Sequence, residues 1–322
     1  MLDRPRKTAR RAAAALGGRM TRRSANPVGL VLIHHEIAPS QGDPDRELLP
    51  ALGADLFRAQ LEHLAKRYDV VPLRDLRARA AERSAGDPLP VAITFDDDLA
   101  NHARVAAPIL AQFGFPATFF LCGRTLDGPS TLWPQDLQAV LDHSDDGLAE
   151  VQARLAKDWP WARQDARLVD LIQTIEALPP ADRDAVAARL REMAGPTPID
   201  EGLSAEAVAR LARQGFEIGF HTFDHYALQT LDDRELERAM TEGRGRLAEA
   251  AGSPLRSIAY PHGRADLRVA DAAREAGFER GLIGAHAATG PAQNPYLAAR
   301  VVGWTETLDQ FSWALARLAA AG

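Results

Sequence analysis

Two short polar clusters, each placed at the end of an apolar run, hold the residues of this chain best suited to chemistry. In the first, Val91-Ala92-Ile93-Thr94-Phe95 runs directly into Asp96-Asp97-Asp98. Carboxylates this close repel one another, and a divalent cation is the simplest counter-charge. Aspartate is also common in the turn after a buried strand, so the run alone leaves both readings open. In the second, Phe216–Phe220 runs into His221-Thr222-Phe223-Asp224-His225. Two imidazoles at this spacing can reach one cation from a tight turn or a helix, and neutral imidazole suits zinc and similar ions. An isolated histidine pair settles nothing. In an α/β barrel, however, both clusters fall at the C-terminal ends of strands, where such folds assemble their sites. Two histidines and one aspartate leave positions open for water and substrate, an arrangement suited to catalysis.

The elements that must position these residues are legible in the hydrophobic pattern. Short apolar runs predict buried strands at Val28–His34, Val91–Phe95, Ala117–Leu121, Phe216–Phe220, Ser257–Tyr260, Arg280–Ile283 and Ala299–Val302. Stretches of helical period lie between them. Phe57, Leu61 and Leu64 share one face, and Leu231–Ala251 and Asp266–Ala276 behave alike, closed by Gly252 and Gly277. Strands alternating with helices predict a parallel sheet, open or closed into a barrel. From Leu132 to about Leu211 the pattern is helical throughout, punctuated by Pro179-Pro180 and Pro196-Thr197-Pro198, which predicts a helical insertion on a single domain spanning 27–322.

Composition narrows the partners. The chain has 322 residues and a formal net charge of −6, but residues 1–26 carry eight basic side chains against Asp3 alone. The remainder is strongly acidic, which argues against nucleic acid as a partner. The basic start reads as a solvated segment or as a peripheral contact with an anionic membrane surface. Its apolar patch Ala12–Leu16 is short and followed by more arginine, unlike a secretory signal, so the expected location is cytoplasmic, with or without membrane association. Cys122 is the one cysteine, which excludes an intrachain disulfide and predicts a small buried filler.

Thr94-Phe95-Asp96-Asp97 and His221-Thr222-Phe223-Asp224-His225 resemble the two leading motifs of the polysaccharide deacetylases of carbohydrate esterase family 4. Ala107-Pro108-Ile109-Leu110 and Phe115–Leu121 resemble the helix and strand that follow the first motif, and Ala259-Tyr260-Pro261-His262-Gly263 occupies the place of the third. The resemblance implies a distorted (β/α) barrel that removes acyl groups, usually N-acetyl groups, from amino sugars of a polysaccharide or glycoconjugate. It further implies that Asp96 is the general base, and that Asp97, His221 and His225 bind a divalent metal, most often zinc. Most such enzymes protonate the leaving amine with a histidine near the C-terminus, and no such pattern occurs in the last forty residues or so. In a subset acting on biofilm polysaccharides that motif lies after the first strand. Leu32-Ile33-His34-His35-Glu36-Ile37 resembles this version, with His35 in the acid's place and His34 beside it.

The chain departs from the family pattern in two places. Asp98 replaces the glycine that ends the first motif, where the backbone is expected to need positive φ. A third carboxylate there could tighten metal binding, raise the pKa of Asp96 or obstruct substrate. Ala259 stands where the family has an arginine that orients the base, and Arg256 is not a ready substitute. Tyr260 and His262 are candidates to line the site, and Trp133, at the start of the insertion, is a candidate sugar platform. Ala298-Ala299-Arg300-Val301-Val302 resembles a late strand of the same subset, with Arg300 expected to be structural. Alternative readings are a deformylase or O-acetyl esterase acting on a sugar, a weakly active carbohydrate-binding relative, and a two-histidine, one-carboxylate iron oxygenase.

Overall fold

The protein is described here by a computed structural model covering residues 26–128, 130–144, 146–162, 167–195 and 202–321. All but Asn26 of the basic segment read at 1–26, and the Pro196-Thr197-Pro198 punctuation, lie outside the described residues. The strands are β1 (Leu30–His34), β2 (Ile37–Ala38), β3 (Leu52–Gly53), β4 (Tyr68–Val70), β5 (Leu89–Asp96), β6 (Thr118–Leu121), β7 (Glu217–Phe220), β8 (Ser257–Ala259), β9 (Arg280–Ile283), β10 (Ala298–Ala299) and β11 (Val301–Val302). The helices are α1 (Ala54–Arg67), α2 (Leu76–Glu82), α3 (Ala107–Phe113), α4 (Trp133–His143), α5 (Leu148–Leu155), α6 (Leu168–Glu176), α7 (Pro180–Ala194), α8 (Ala205–Arg213), α9 (Asp233–Thr241), α10 (Arg244–Ala251), α11 (Leu267–Glu275) and α12 (Leu308–Ala321).

Nine strands form one parallel sheet in the order β10-β9-β8-β7-β6-β5-β1-β11, with β4 also paired to β5. This is a distorted, nearly closed (β/α) barrel. The run Ala299–Val302, expected as one strand, is two. β10 pairs with β9 and β11 with β1, so consecutive residues belong to opposite ends of the sheet and Arg300 sits at the seam between them. Its backbone follows the break: Arg300 N–H donates to Ile283 O, and Arg300 O accepts from His286 N–H.

The barrel strands are continuously apolar because both faces are covered, as the fully buried β1 and β5 illustrate. Phe95 is the centre of this packing. Its ring stacks on Phe119 at 4.8 Å and meets His34, Phe57 and His102 at 5.3–6.0 Å. His34 is thus a buried core residue beneath the barrel mouth, held in its neutral form as burial lowers its pKa to about 3. Cys122 is buried, as its apolar surroundings predict.

The stretch Leu231–Ala251, expected as one helix, breaks into α9 and α10 at Gly243, whose φ of 74° is left-handed and lies close against Phe223. The helical region after Leu132 also divides. Helices α4 to α7 gather around a core of their own that includes Trp133, Leu137, Val151, Leu171, Val186 and Leu190. Helix α8 instead packs Val208 and Leu211 into the barrel core. Among the described residues no helix is long and apolar enough to cross a membrane.

Truncating Phe95 removes the ring on which the layer below the barrel mouth packs. Phe95→Ala is expected to lower the free energy of unfolding by about 3–5 kcal/mol, measured by urea denaturation. A loss under about 1 kcal/mol would contradict this reading of the core.

Candidate metal centre

The C-terminal ends of β1, β5, β6, β7 and β8 open into a cavity of about 1280 Å³, lined by His35, Asp96, Asp97, Asp98, His221, His225 and His262 among others. Helices α4, α6 and α7 contribute Trp133, Glu176 and Arg191 to its wall. The two clusters read from the sequence therefore meet in space, and their meeting depends on backbone geometry. Successive side chains of a strand point to opposite faces. Asp96 closes β5, and Asp97 adopts φ 74°, a left-handed turn that carries its carboxylate to the same mouth. The positive φ expected at position 98 is at position 97. His225 (φ 53°) and Thr222 (φ 58°) shape the histidine turn in the same way.

Asp97, His221 and His225 offer donor atoms that all lie within 4.8 Å of one another. Asp97 Oδ1 is 3.7 Å from His221 Nε2 and 3.6 Å from His225 Nε2, and it is buried with no hydrogen-bond partner. Ligands about 2.0–2.1 Å from a tetrahedral ion stand roughly 3.3 Å apart, close to this spacing. His221 Nδ1–H donates to Ala259 O at 2.8 Å, which leaves its Nε2 lone pair facing the other two donors. Burial, against the pull of Asp96, lowers the pKa of His221 to about 4, and burial also holds that of His225 well below the usual imidazole value. Both rings are thus neutral, as ligands must be. Burial and the neighbouring charges of Asp96 and Asp98 push Asp97 up to about 8. A partly buried carboxylate facing two bare imidazole nitrogens fits a divalent cation, whose charge relieves that repulsion.

Asp96 is oriented by a residue expected to be merely structural. Arg300, fully buried, donates Nη1–H to Asp96 Oδ1 at 2.6 Å and Nη2–H to Oδ2 at 2.7 Å. Burial pushes the Asp96 carboxyl up, but the charge and hydrogen bonds of Arg300, with His221 nearby, outweigh it and hold the pKa at about 2. The arginine missing at Ala259 is therefore supplied from the barrel seam, 204 residues along the chain from its partner. The basic residue beside an apolar pair was visible in the sequence, but its partner was not.

Asp98 is not a third ligand. Its Oδ1 accepts from the backbone N–H of Cys122 and Gly123, and its Oδ2 from that of Arg124, at 2.8–3.1 Å. Burial raises its pKa while these bonds oppose the rise. The carboxylate anchors the loop after β6, and both its oxygens are occupied by peptide N–H groups rather than offered to the metal donors. Tyr260, expected to line the site, is fully buried and donates its hydroxyl to Tyr296 O. Trp133 does line the cavity, but its indole is 3 % exposed within the insertion core and offers no open stacking face.

His262 reaches the cavity with φ 58°, its ring edge-on to that of His225 at 4.7 Å. Its Nδ1 lies 3.2 Å from Glu176 Oε1, and Glu176 Oε2 is 3.1 Å from Arg264. His35 also lines the cavity, and its carbonyl lies 3.1 Å from His102 Nε2. Burial lowers the pKa of His35, opposed by Asp96 and aided by Arg300. Periodicity had no means to single out Glu176 and His102, because their partners are set by packing.

The polysaccharide deacetylase family profile matches residues 84–158 and 179–281, more than half of the chain. The unmatched interval falls within the helical region. No curated protein matches. The fold is similar to that of Streptococcus pyogenes deacetylase PplD in complex with acetate, at TM-score 0.59 and 14% identity over 90% of this chain and 97% of that one. It is also similar to IcaB from Ammonifex degensii (0.55, 18%, 91% and 97%) and to a de-N-acetylase from Aggregatibacter actinomycetemcomitans (0.56, 16%, 88% and 99%). At these identities the likeness is one of fold.

Removing the Arg300 guanidinium strands a buried carboxylate. In metal-free protein, Arg300→Met is expected to lose about 3–5 kcal/mol of stability near pH 7. With Arg300 present the folded pKa of Asp96 is depressed, so its contribution is full above the unfolded value and lost only as pH falls through about 2. Without Arg300 burial raises that pKa, and the variant gains stability relative to wild type on acidification. Urea denaturation at about pH 7 and about pH 4.5 should therefore show a narrowing deficit; an equal deficit at both would contradict the pairing.

Proposed function

The chain belongs to the polysaccharide deacetylase family, hydrolases acting on carbon–nitrogen bonds other than peptide bonds, and on that premise we propose that it is a metal-dependent enzyme releasing acetate from N-acetylated amino sugars of a polysaccharide or glycoconjugate. The observation that carries this reading is the convergence of the Asp97, His221 and His225 donors beside an Asp96 carboxylate clamped by Arg300. A divalent cation held there would act as a Lewis acid, acidifying water and polarising the acyl carbonyl. Two imidazoles and one carboxylate favour zinc.

Asp96 takes the proton of the attacking water. Arg300 occupies one lone-pair direction on each carboxylate oxygen and leaves the others free to accept, while holding the group ionised and aimed. His35, which lines the cavity, takes up a proton from solvent and hands it to the departing amine. His262 forms part of the wall beside the metal ligands. The cavity exceeds the usual range for small-molecule pockets, about 300–1,000 Å³, and so accommodates more than one sugar residue.

A second reading is favoured by one observation: burial and Arg300 hold His35 in its neutral form. The alkoxide of an O-acyl ester leaves more readily than an amine and can take its proton from water, so the same centre suits an O-acetyl sugar, and a formyl group fits the same chemistry.

The test is acetate release from N-acetylated oligosaccharides by metal-stripped and zinc-reloaded protein. Reloading is expected to restore activity, and Asp96→Asn to lower kcat by about 10²–10⁴-fold. Reloaded protein that releases no acyl group from any of these substrates would overturn the reading. His35→Ala separates the two substrate classes. If an amide is the natural substrate, amide hydrolysis should fall by about 10²–10⁴-fold while an activated acetate ester is largely spared. Equal retention of both activities would remove His35 from the mechanism.

A further inference from the structure

Resting on the reading of Asp97, His221 and His225 as metal ligands, we infer that the helical insertion is a working part of that centre, with Arg183 of α7 as the positioning residue that holds the His225 turn in its ligating shape. Arg183 is 5% exposed. Its Nη1–H donates to His225 O at 2.6 Å and its Nη2–H to Asp224 O at 2.7 Å, so one rigid fork fixes two successive peptide planes. The guanidinium lies over the Tyr226 ring at 4.0 Å, and Tyr226 in turn donates its hydroxyl to Asp184 of the same helix.

Three features make this more than packing. A guanidinium withdrawn from water is costly, and an apolar side chain would seat a helix at this position more cheaply. The turn it grips contains two non-glycine residues at positive φ, Thr222 and His225, a conformation that costs of order 1 kcal/mol or more per residue and persists only where the surroundings impose it. Finally, the two histidine ligands are secured differently. His221 is fixed through its own ring by the bond to Ala259 O, whereas His225 Nδ1 is buried and makes no hydrogen bond. The ring orientation of His225 must therefore come from its backbone, and Arg183 holds that backbone. A second tie runs in parallel: Glu176 of α6 holds His262, whose ring packs against that of His225.

The experiment measures zinc affinity of the full chain by competition with a chelating dye, alongside the thermal midpoint of each metal-free variant. Arg183→Met is expected to weaken zinc binding by about 10–100-fold, the usual loss when a group supporting a ligand is removed. Arg183→Lys, which keeps the charge and a donor but not the fork, is expected to lose less. Val186→Ala loosens the insertion's own core without touching either tie; it should lower the thermal midpoint and leave zinc affinity unchanged. The inference is overturned if Arg183→Met binds zinc as wild type does, or if Val186→Ala weakens binding as much. Should Arg183→Met fail to fold, Arg183→Lys decides, with wild-type affinity counting against the inference. Wild-type protein that binds no zinc overturns the metal-centre reading itself.

Discussion

A carboxylate at the bottom of a protein cleft stays ionised only if something nearby repays its lost hydration. In this barrel the Arg300 guanidinium does so for Asp96, and the pairing depends on how the sheet closes. Arg300 lies between β10 and β11, which belong to opposite ends of the strand order, so the residue that steadies Asp96 is also the residue at the seam. Closure of the sheet and preparation of the site are structurally linked, because the chain that pairs β11 with β1 also carries the counter-charge of Asp96. This also explains why the third motif can carry Ala259. The guanidinium that meets Asp96 comes from another strand, and the Ala259 carbonyl fixes the tautomer of His221.

Around that pair the remaining acidic residues are separated by backbone direction. Asp96, Asp97 and Asp98 are consecutive, yet each answers to a different partner: a guanidinium, two imidazoles and three peptide N–H groups. The left-handed turn at Asp97 makes the division possible, since a continuing strand would have sent its side chain to the far face. Asp97 alone is left without a bound proton donor or a cation of the protein's own, and this is where a divalent ion fits.

The helices between β6 and β7 complete the cavity from the outside. Helices α4 to α7 carry their own apolar core and so form a firm wall, from which Arg183 and Glu176 reach the His225 turn and His262. The cavity lies between this wall and the loop after β1, which contributes residues between Glu36 and Leu49 to its lining.

The sequence by itself determined most strands of the sheet and the two motifs at their polar ends, because continuous apolar runs ending in polar residues are local signals; the alternation of strands and helices predicted a parallel sheet, open or closed, and its closure into a barrel was implied by the family resemblance. It also determined that Asp96, Asp97, His221, His225 and His35 are the residues to examine. Only the tertiary structure decided which carboxylate does what. Arg300 was set aside as structural because its partner lies 204 residues away. Asp98 was weighed as a ligand because its acceptors' donors, in the loop after β6, carry no side-chain signature. Tyr260 and Trp133 were expected to face the site, and packing turned the first into the barrel wall and buried the second in the insertion core. The contributions of Arg183 and Glu176 were equally hidden. Hydrophobic period records which face of an element is buried, not which buried charge meets which, and that pairing is settled only when distant elements close on one another.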